Sequence, residues 1–163
     1  MSTISILFLV LSFIGDFFLS RFLPLSYFQV SFFYPCFFLL TSIFGWFFTK
    51  NKKRYLGFVA IGYLIGCLLF QTNFFLRFFS FSIVYLFLQY FWDKVHLSLI
   101  SFFFFLIFSF FLYYFTYFLL LFLFAYPGVS FSFFLVQFFH VLPFNLCIGI
   151  VLYFVLGIKY RYR

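Results

Sequence analysis

Charge is what this sequence has least of. Only 7% of its 163 residues are Asp, Glu, Lys or Arg, and the acidic ones are just two, Asp16 and Asp93, with no Glu. A soluble domain carries about a quarter of its residues as charges, so a chain this poor in charge and 68% apolar reads as a polytopic membrane protein. An intramembrane aspartyl hydrolase needs two carboxylates within a few ångströms, one as acid and one as base. Asp16 and Asp93 fall near opposite faces of the expected bundle and do not meet. Cysteine is also sparse: Cys36, Cys67 and Cys147 are odd in number, sit inside apolar runs and lack C-x-x-C spacing. They read as small core residues, without a disulfide framework. His96 and His140 lie at opposite ends of one hairpin region, so the three or four ligands of a metal site are not assembled. No glycine-rich loop follows a strand, and no Ser, His and Asp set shares one depth. The expectation is a non-enzymatic protein without cofactor or metal, and without a basic, aromatic-interleaved patch for nucleic acid.

Against this apolar background stands one short polar stretch, Lys50-Asn51-Lys52-Lys53-Arg54, which holds four of the ten basic residues. Loops rich in Lys and Arg beside membrane spans stay on the cytoplasmic side. Alternation from this anchor places two spans before it and four after it, with both termini cytoplasmic. Lys50, Lys52, Lys53, Arg54, Lys94, Lys159, Arg161 and Arg163 then lie inside and only Arg21 and Arg77 outside. The net charge of +8 is thus a matter of topology and of contact with anionic headgroups. Met1 to Ser12 offers neither a basic leader nor a small-residue cleavage site, so the first span is expected to be retained. The 40 phenylalanines read as drift among lipid-compatible residues in a T-rich genome.

The fold expected is an all-α membrane helix bundle in a single domain, with about six spans at 3–20, 27–49, 55–70, 76–92, 97–125 and 131–157. Asp16 lies toward the outer end of the first span, where it either sits at the interface with a headgroup and Arg21 or makes a functional contact. Pro35 kinks the second span or starts its regular part, since it lacks an N–H, and Trp46 fits an inner aromatic belt. Gly62-x-x-x-Gly66 in the third span is a small-x-x-x-small pattern that admits a close helix neighbour. Arg77 either snorkels outward or faces the bundle. The fourth span begins near Asn73 if Arg77 belongs to it, and 97–125 needs tilt as one helix. Tyr126-Pro127-Gly128 makes the outer turn. In the last span His140 and Asn145 are polar groups of the kind that pair across helices.

In order, an Asp-bearing first span, the segment Tyr34-Pro35-Cys36-Phe37-Phe38-Leu39, a basic loop, a glycine-rich stretch from Gly57-Phe58-Val59, Arg77 with Ser82-Ile83-Val84, and Asn145 before a basic tail resemble the MreD family. That family is the small inner-membrane component of the bacterial rod-shape (elongation) complex. The chain departs from the family pattern at Cys67, where an Asp would fall, and at Phe74 or Phe75, where a turn glycine would fall. The resemblance implies a scaffold in the bacterial inner membrane that binds the bitopic partner MreC and supports peptidoglycan synthesis and cell shape. It would help couple cytoplasmic MreB filaments to the glycan polymerase RodA and its transpeptidase. Candidate packing or partner contacts are Asp16, Pro35, Gly62, Gly66, Arg77 and Asn145. Two other readings are a substrate-binding S component of an energy-coupling-factor vitamin transporter, also a six-span protein, and an accessory hydrophobic subunit of an organelle-encoded complex.

Overall fold

Apolar side chains alone do not say where a helix starts; the acceptors offered to its first N–H groups do. Asn51 Oδ1 accepts the Arg54 N–H at 3.1 Å, Ser98 Oγ that of Ser101 at 3.1 Å, and Ser130 Oγ that of Phe133 at 3.3 Å. Each is a capping residue three positions ahead of its donor, and each opens a helix. The computed structural model describes residues 3–22, 36–49, 51–70, 74–91 and 98–161. Among them are six helices and no strand: α1 Thr3–Phe22, α2 Phe37–Phe48, α3 Lys52–Phe70, α4 Phe74–Tyr90, α5 Leu99–Leu123 and α6 Phe131–Arg161.

Helix α5 ends in a Schellman arrangement. Ala125 takes a left-handed φ of 51°, its N–H bonds Phe122 O at 3.0 Å, and the Tyr126 N–H bonds Leu121 O at 3.1 Å. Pro127 then prevents the helix from resuming, and Gly128, at φ 78°, completes the turn. The stretch expected at 97–125 is thus one helix. Helices Leu99–Leu123 and Phe131–Phe154 are each long and apolar enough to cross a membrane. Pro143 lies inside α6 without ending it.

The short helix α2 is the centre of the packing. It contacts α1, α3, α5 and α6, while α4 packs chiefly against α3 and α5 and meets α2 where Phe81 and Phe38 stand 6.0 Å apart between ring centroids. Phe38, Leu39, Leu40, Ile43, Trp46 and Phe47 of α2 are all buried. Rings bind the layers: Phe47 meets Phe102 at 5.4 Å between centroids, Phe48 meets Tyr153 at 5.9 Å, and Phe87 meets Phe105 at 5.2 Å. Such tilted and edge-on pairs are the favoured aromatic geometries. The closest backbone approaches use Gly45 and Gly149. A Cβ on Gly45 would fall on the Tyr55 ring, and one on Gly149 would stand 2.9 Å from a Leu106 methyl.

Two expectations change here. The second span, expected as 27–49, has regular helix only over Phe37–Phe48 among the described residues; residues 23–35, Pro35 included, lie outside them. The helix starts at Phe37, after the non-helical Cys36; the expectation that Pro35 kinks the span or starts its regular part falls outside the described residues. Trp46 is a core residue, not a belt residue. It is fully buried against Phe47 and Phe105, with Lys52 Nζ 4.6 Å from its ring centroid. A cation over the indole face supplies the polar contact that a headgroup would give at an interface. The fourth helix begins at Phe74, which brings Arg77 into its first turn.

Candidate functional site

Unlike α3, α5 and α6, helix α2 has no capping side chain of its own: Cys36 stands at its N-cap and makes no side-chain cap bond. Its first N–H groups are nonetheless satisfied, from two other helices. Asp16 of α1 accepts the Phe37 N–H at Oδ1 and the Phe38 N–H at Oδ2, each at 2.8 Å. Asn145 of α6 accepts the Cys36 N–H at Oδ1, at 3.0 Å. Its amide nitrogen donates back to Val141 O at 2.7 Å. Asn145 is fully buried, and this second bond fixes which way its amide faces.

The physical logic is that of a helix terminus without water. The leading N–H groups of a helix carry a partial positive charge, and a carboxylate there is both hydrogen-bond acceptor and counter-charge. Bonds to an ionised acceptor are about twice as strong as neutral ones. One turn before Asp16, the Ser12 hydroxyl lies 2.8 Å from Thr41 Oγ1, so α1 and α2 are joined at two successive levels. Thr41 also donates to Phe37 O at 2.8 Å. Its own carbonyl takes the Tyr55 hydroxyl at 3.0 Å, which extends the polar chain into α3.

Other polar groups stand at the same height. At ~1.5 Å rise per residue, Asp16 is ~20 Å from the start of α1, Phe37 ~17 Å from the end of α2, Tyr63 ~17 Å from the start of α3, Arg77 ~20 Å from the end of α4 and Tyr114 ~22 Å from the start of α5. The Tyr63 and Tyr113 hydroxyls are 2.8 Å apart, and Tyr63 also reaches Arg77 O at 3.5 Å. The Arg77 guanidinium lies 5.4 Å from the Tyr117 ring centroid, a cation–π geometry. The Cys36 thiol is hydrogen-bonded by the Tyr114 side chain and feels the charges of Asp16 and Arg77. Five helices thus contribute to one polar layer around the start of α2, with Asn145 of α6 as the sixth contributor.

Of the candidate residues, the structure brings Asp16, Asn145 and Arg77 into this layer. Pro35 lies outside the described residues, immediately ahead of Cys36 in the chain. Gly62 does not join: no atom lies within 4 Å of where its Cβ would stand, so it faces away from the bundle and packs no internal neighbour. Gly66 lies on α3, and its surroundings are outside what the structure describes. Asp16 engages α2 with both oxygens; the Arg21 side chain, its expected local partner, lies outside what the structure describes. Ser12 could have been found from sequence, because it stands four residues before Asp16 on the same helix face. Tyr63, Tyr113 and Gly45 carry no such signal.

Chemically the arrangement binds backbone and orients helices. No group of three or more His, Cys, Asp or Glu residues that could hold a metal ion occurs among the described residues. Comparison with family models, with curated proteins and with solved structures finds no match.

Proposed function

We propose that the protein is an integral membrane helix bundle of about six spans that acts as a non-enzymatic scaffold of the MreD kind in the bacterial inner membrane. It would hold MreC and other members of the cell-elongation complex together. The observation that carries this reading is the capping of α2 from α1 and α6. The features on which the MreD resemblance rests include an Asp in the first span, a proline near the start of the second and an Asn in the last. Asp16 and Asn145 converge on the helix that begins just after Pro35. Their chemistry there is structural: both carboxylate oxygens and the amide are engaged by backbone.

The membrane setting explains why such a cap is needed. At ~18 Å, α2 is too short to cross ~30 Å of hydrocarbon, so its N-terminus ends at depth. Water is absent there, and each unsatisfied N–H costs several kcal/mol. Charged residues at that depth are tolerated when they face the bundle and pair. The outward faces agree with lipid contact: Leu11, Phe75, Leu86, Ile100, Phe122 and Phe139 are all exposed, far more apolar surface than water tolerates on a monomer. A vitamin-capturing S component would need converging polar groups directed into a pocket, whereas Asp16 and Asn145 point theirs at α2.

Affinity purification of the tagged chain from its own host, after mild solubilisation, tests the proposal by mass spectrometry of what remains bound. MreC-like and RodA-like proteins are expected. Paired ATPases with a coupling subunit would overturn the scaffold reading in favour of transport.

A further inference from the structure

Helix α3 has two unlike faces. Tyr55, Leu56, Val59 and Tyr63 are buried against the bundle. On the opposite side Arg54, Phe58, Ile61, Ile65 and Leu68 recur at i, i+4, i+7, i+11 and i+14, the spacing of one helical stripe, and all five are exposed. Gly57 and Gly62 flank that stripe, one on each side. Neither has any atom within 4 Å of the place where a Cβ would stand, so the stripe is bordered by open hollows.

The cations at the head of this stripe do not serve the helix itself. A helix N-terminus carries partial positive charge, so Lys and Arg in the first turn are placed against the macrodipole. Lys52 is turned to the core over Trp46, whereas Lys53 and Arg54 are exposed. The α3 N-terminus is already capped by Asn51. Lys53 and Arg54 are therefore available to an external anion.

From this juxtaposition we infer that the outward face of α3 is a binding site for a single anionic phospholipid, its phosphate held by Lys53 and Arg54 and its acyl chain laid along Phe58, Ile61, Ile65 and Leu68. Charge complementarity selects the headgroup. Length selects a lipid: from Phe58 to Leu68 the apolar stripe runs ~15 Å, one leaflet's share of a ~30 Å hydrocarbon core. The hollows at Gly57 and Gly62 give an acyl chain room to lie close to the backbone. The inference rests on the membrane reading proposed above and not on the identity of any protein partner.

Native mass spectrometry of the full chain, in mild detergent with equal amounts of phosphatidylglycerol and phosphatidylcholine, tests the site. The wild type is expected to retain phosphatidylglycerol at least about fivefold over phosphatidylcholine, the range set by one to two interfacial cations. K53Q/R54Q should lose that preference at an unchanged thermal midpoint, and K159Q/R161Q should keep it. No preference in the wild type would overturn the site, as would an equal loss in K159Q/R161Q, which would reduce the effect to bulk charge. A co-retained protein chain released by Gly62→Leu, with lipid preference unmoved, would overturn it in favour of a protein interface. Flotation of the wild type with phosphatidylcholine liposomes tests the underlying reading separately. A chain that floats but shows no headgroup preference loses only the lipid site; one that does not float loses the membrane assignment as well.

Discussion

Asp16 and Phe38, 22 residues apart in sequence, are joined by a 2.8 Å hydrogen bond from the Phe38 N–H to Asp16 Oδ2, and the other carboxylate oxygen holds Phe37 in the same way. The bond couples the position of one helix to the starting point of another. With Asn145, this pair holds the first N–H groups of α2 and so sets where the helix begins.

Replacing Asp16 tests that coupling directly. Asp16→Ala strands two buried N–H groups at about 1–3 kcal/mol each. Asp16→Asn keeps one acceptor but turns an amide donor toward the second N–H. The thermal midpoint of the chain in detergent should fall for both, and further for Asp16→Ala. Equal midpoints for wild type and Asp16→Ala would mean that α2 starts without help from α1.

Asn145→Leu removes the acceptor for Cys36 while keeping the heavy-atom count and branching of the side chain. Alone it should destabilise by about 1–3 kcal/mol, the cost of one buried unsatisfied N–H. Combined with Asp16→Ala it should cost less than the sum, because once either cap is gone the first turn of α2 frays and the second cap has less to hold. Contacting residues in one network show such coupling in double-mutant cycles. Strict additivity would show that the two caps act independently.

The sequence made the helix ends readable wherever a side chain marks them. Pro35, the basic turn at Lys50–Arg54 and Tyr126-Pro127-Gly128 each coincide with a boundary or stand within three residues of one. Asp16 was recognisable as costly at depth, yet its partner was not, since a backbone N–H has no sequence signature and lies across 21 residues of chain. The start of α2 was hidden for a related reason: residues 27–49 are mostly apolar on both sides of Phe37, and apolar composition does not mark where a helix begins. Gly62 was singled out by a spacing pattern that chance often supplies, while Gly45, the glycine that touches Tyr55, has only the threonines Thr41 and Thr49 at the motif spacing.

That contrast is itself testable. Gly45→Ala would drive a methyl into the Tyr55 ring, and overpacking a tight site costs about 1–3 kcal/mol. Gly62→Ala meets open space and removes the backbone freedom of a mid-helix glycine, a gain of about 0.5–1 kcal/mol. Thermal unfolding of the two variants should therefore shift in opposite directions. A loss at Gly62 as large as that at Gly45 would mean that a helix neighbour covers the outer face of α3.

The last prediction concerns orientation. Helix α2 ends, and α3 begins, at the basic turn, and α6 runs to Arg161 past the level where Phe48 meets Tyr153. Both sets of cations therefore belong to one end of the bundle, as a cytoplasmic loop and a cytoplasmic tail would. A C-terminal alkaline phosphatase fusion should be inactive in a bacterial host, and a C-terminal fluorescent protein fusion bright. Changing Lys52, Lys53 and Arg54 together to Gln should raise phosphatase activity by weakening the charge bias across the bundle. An active phosphatase fusion on the unaltered chain would reverse the orientation and place Asp16 in the cytoplasmic half of the bilayer.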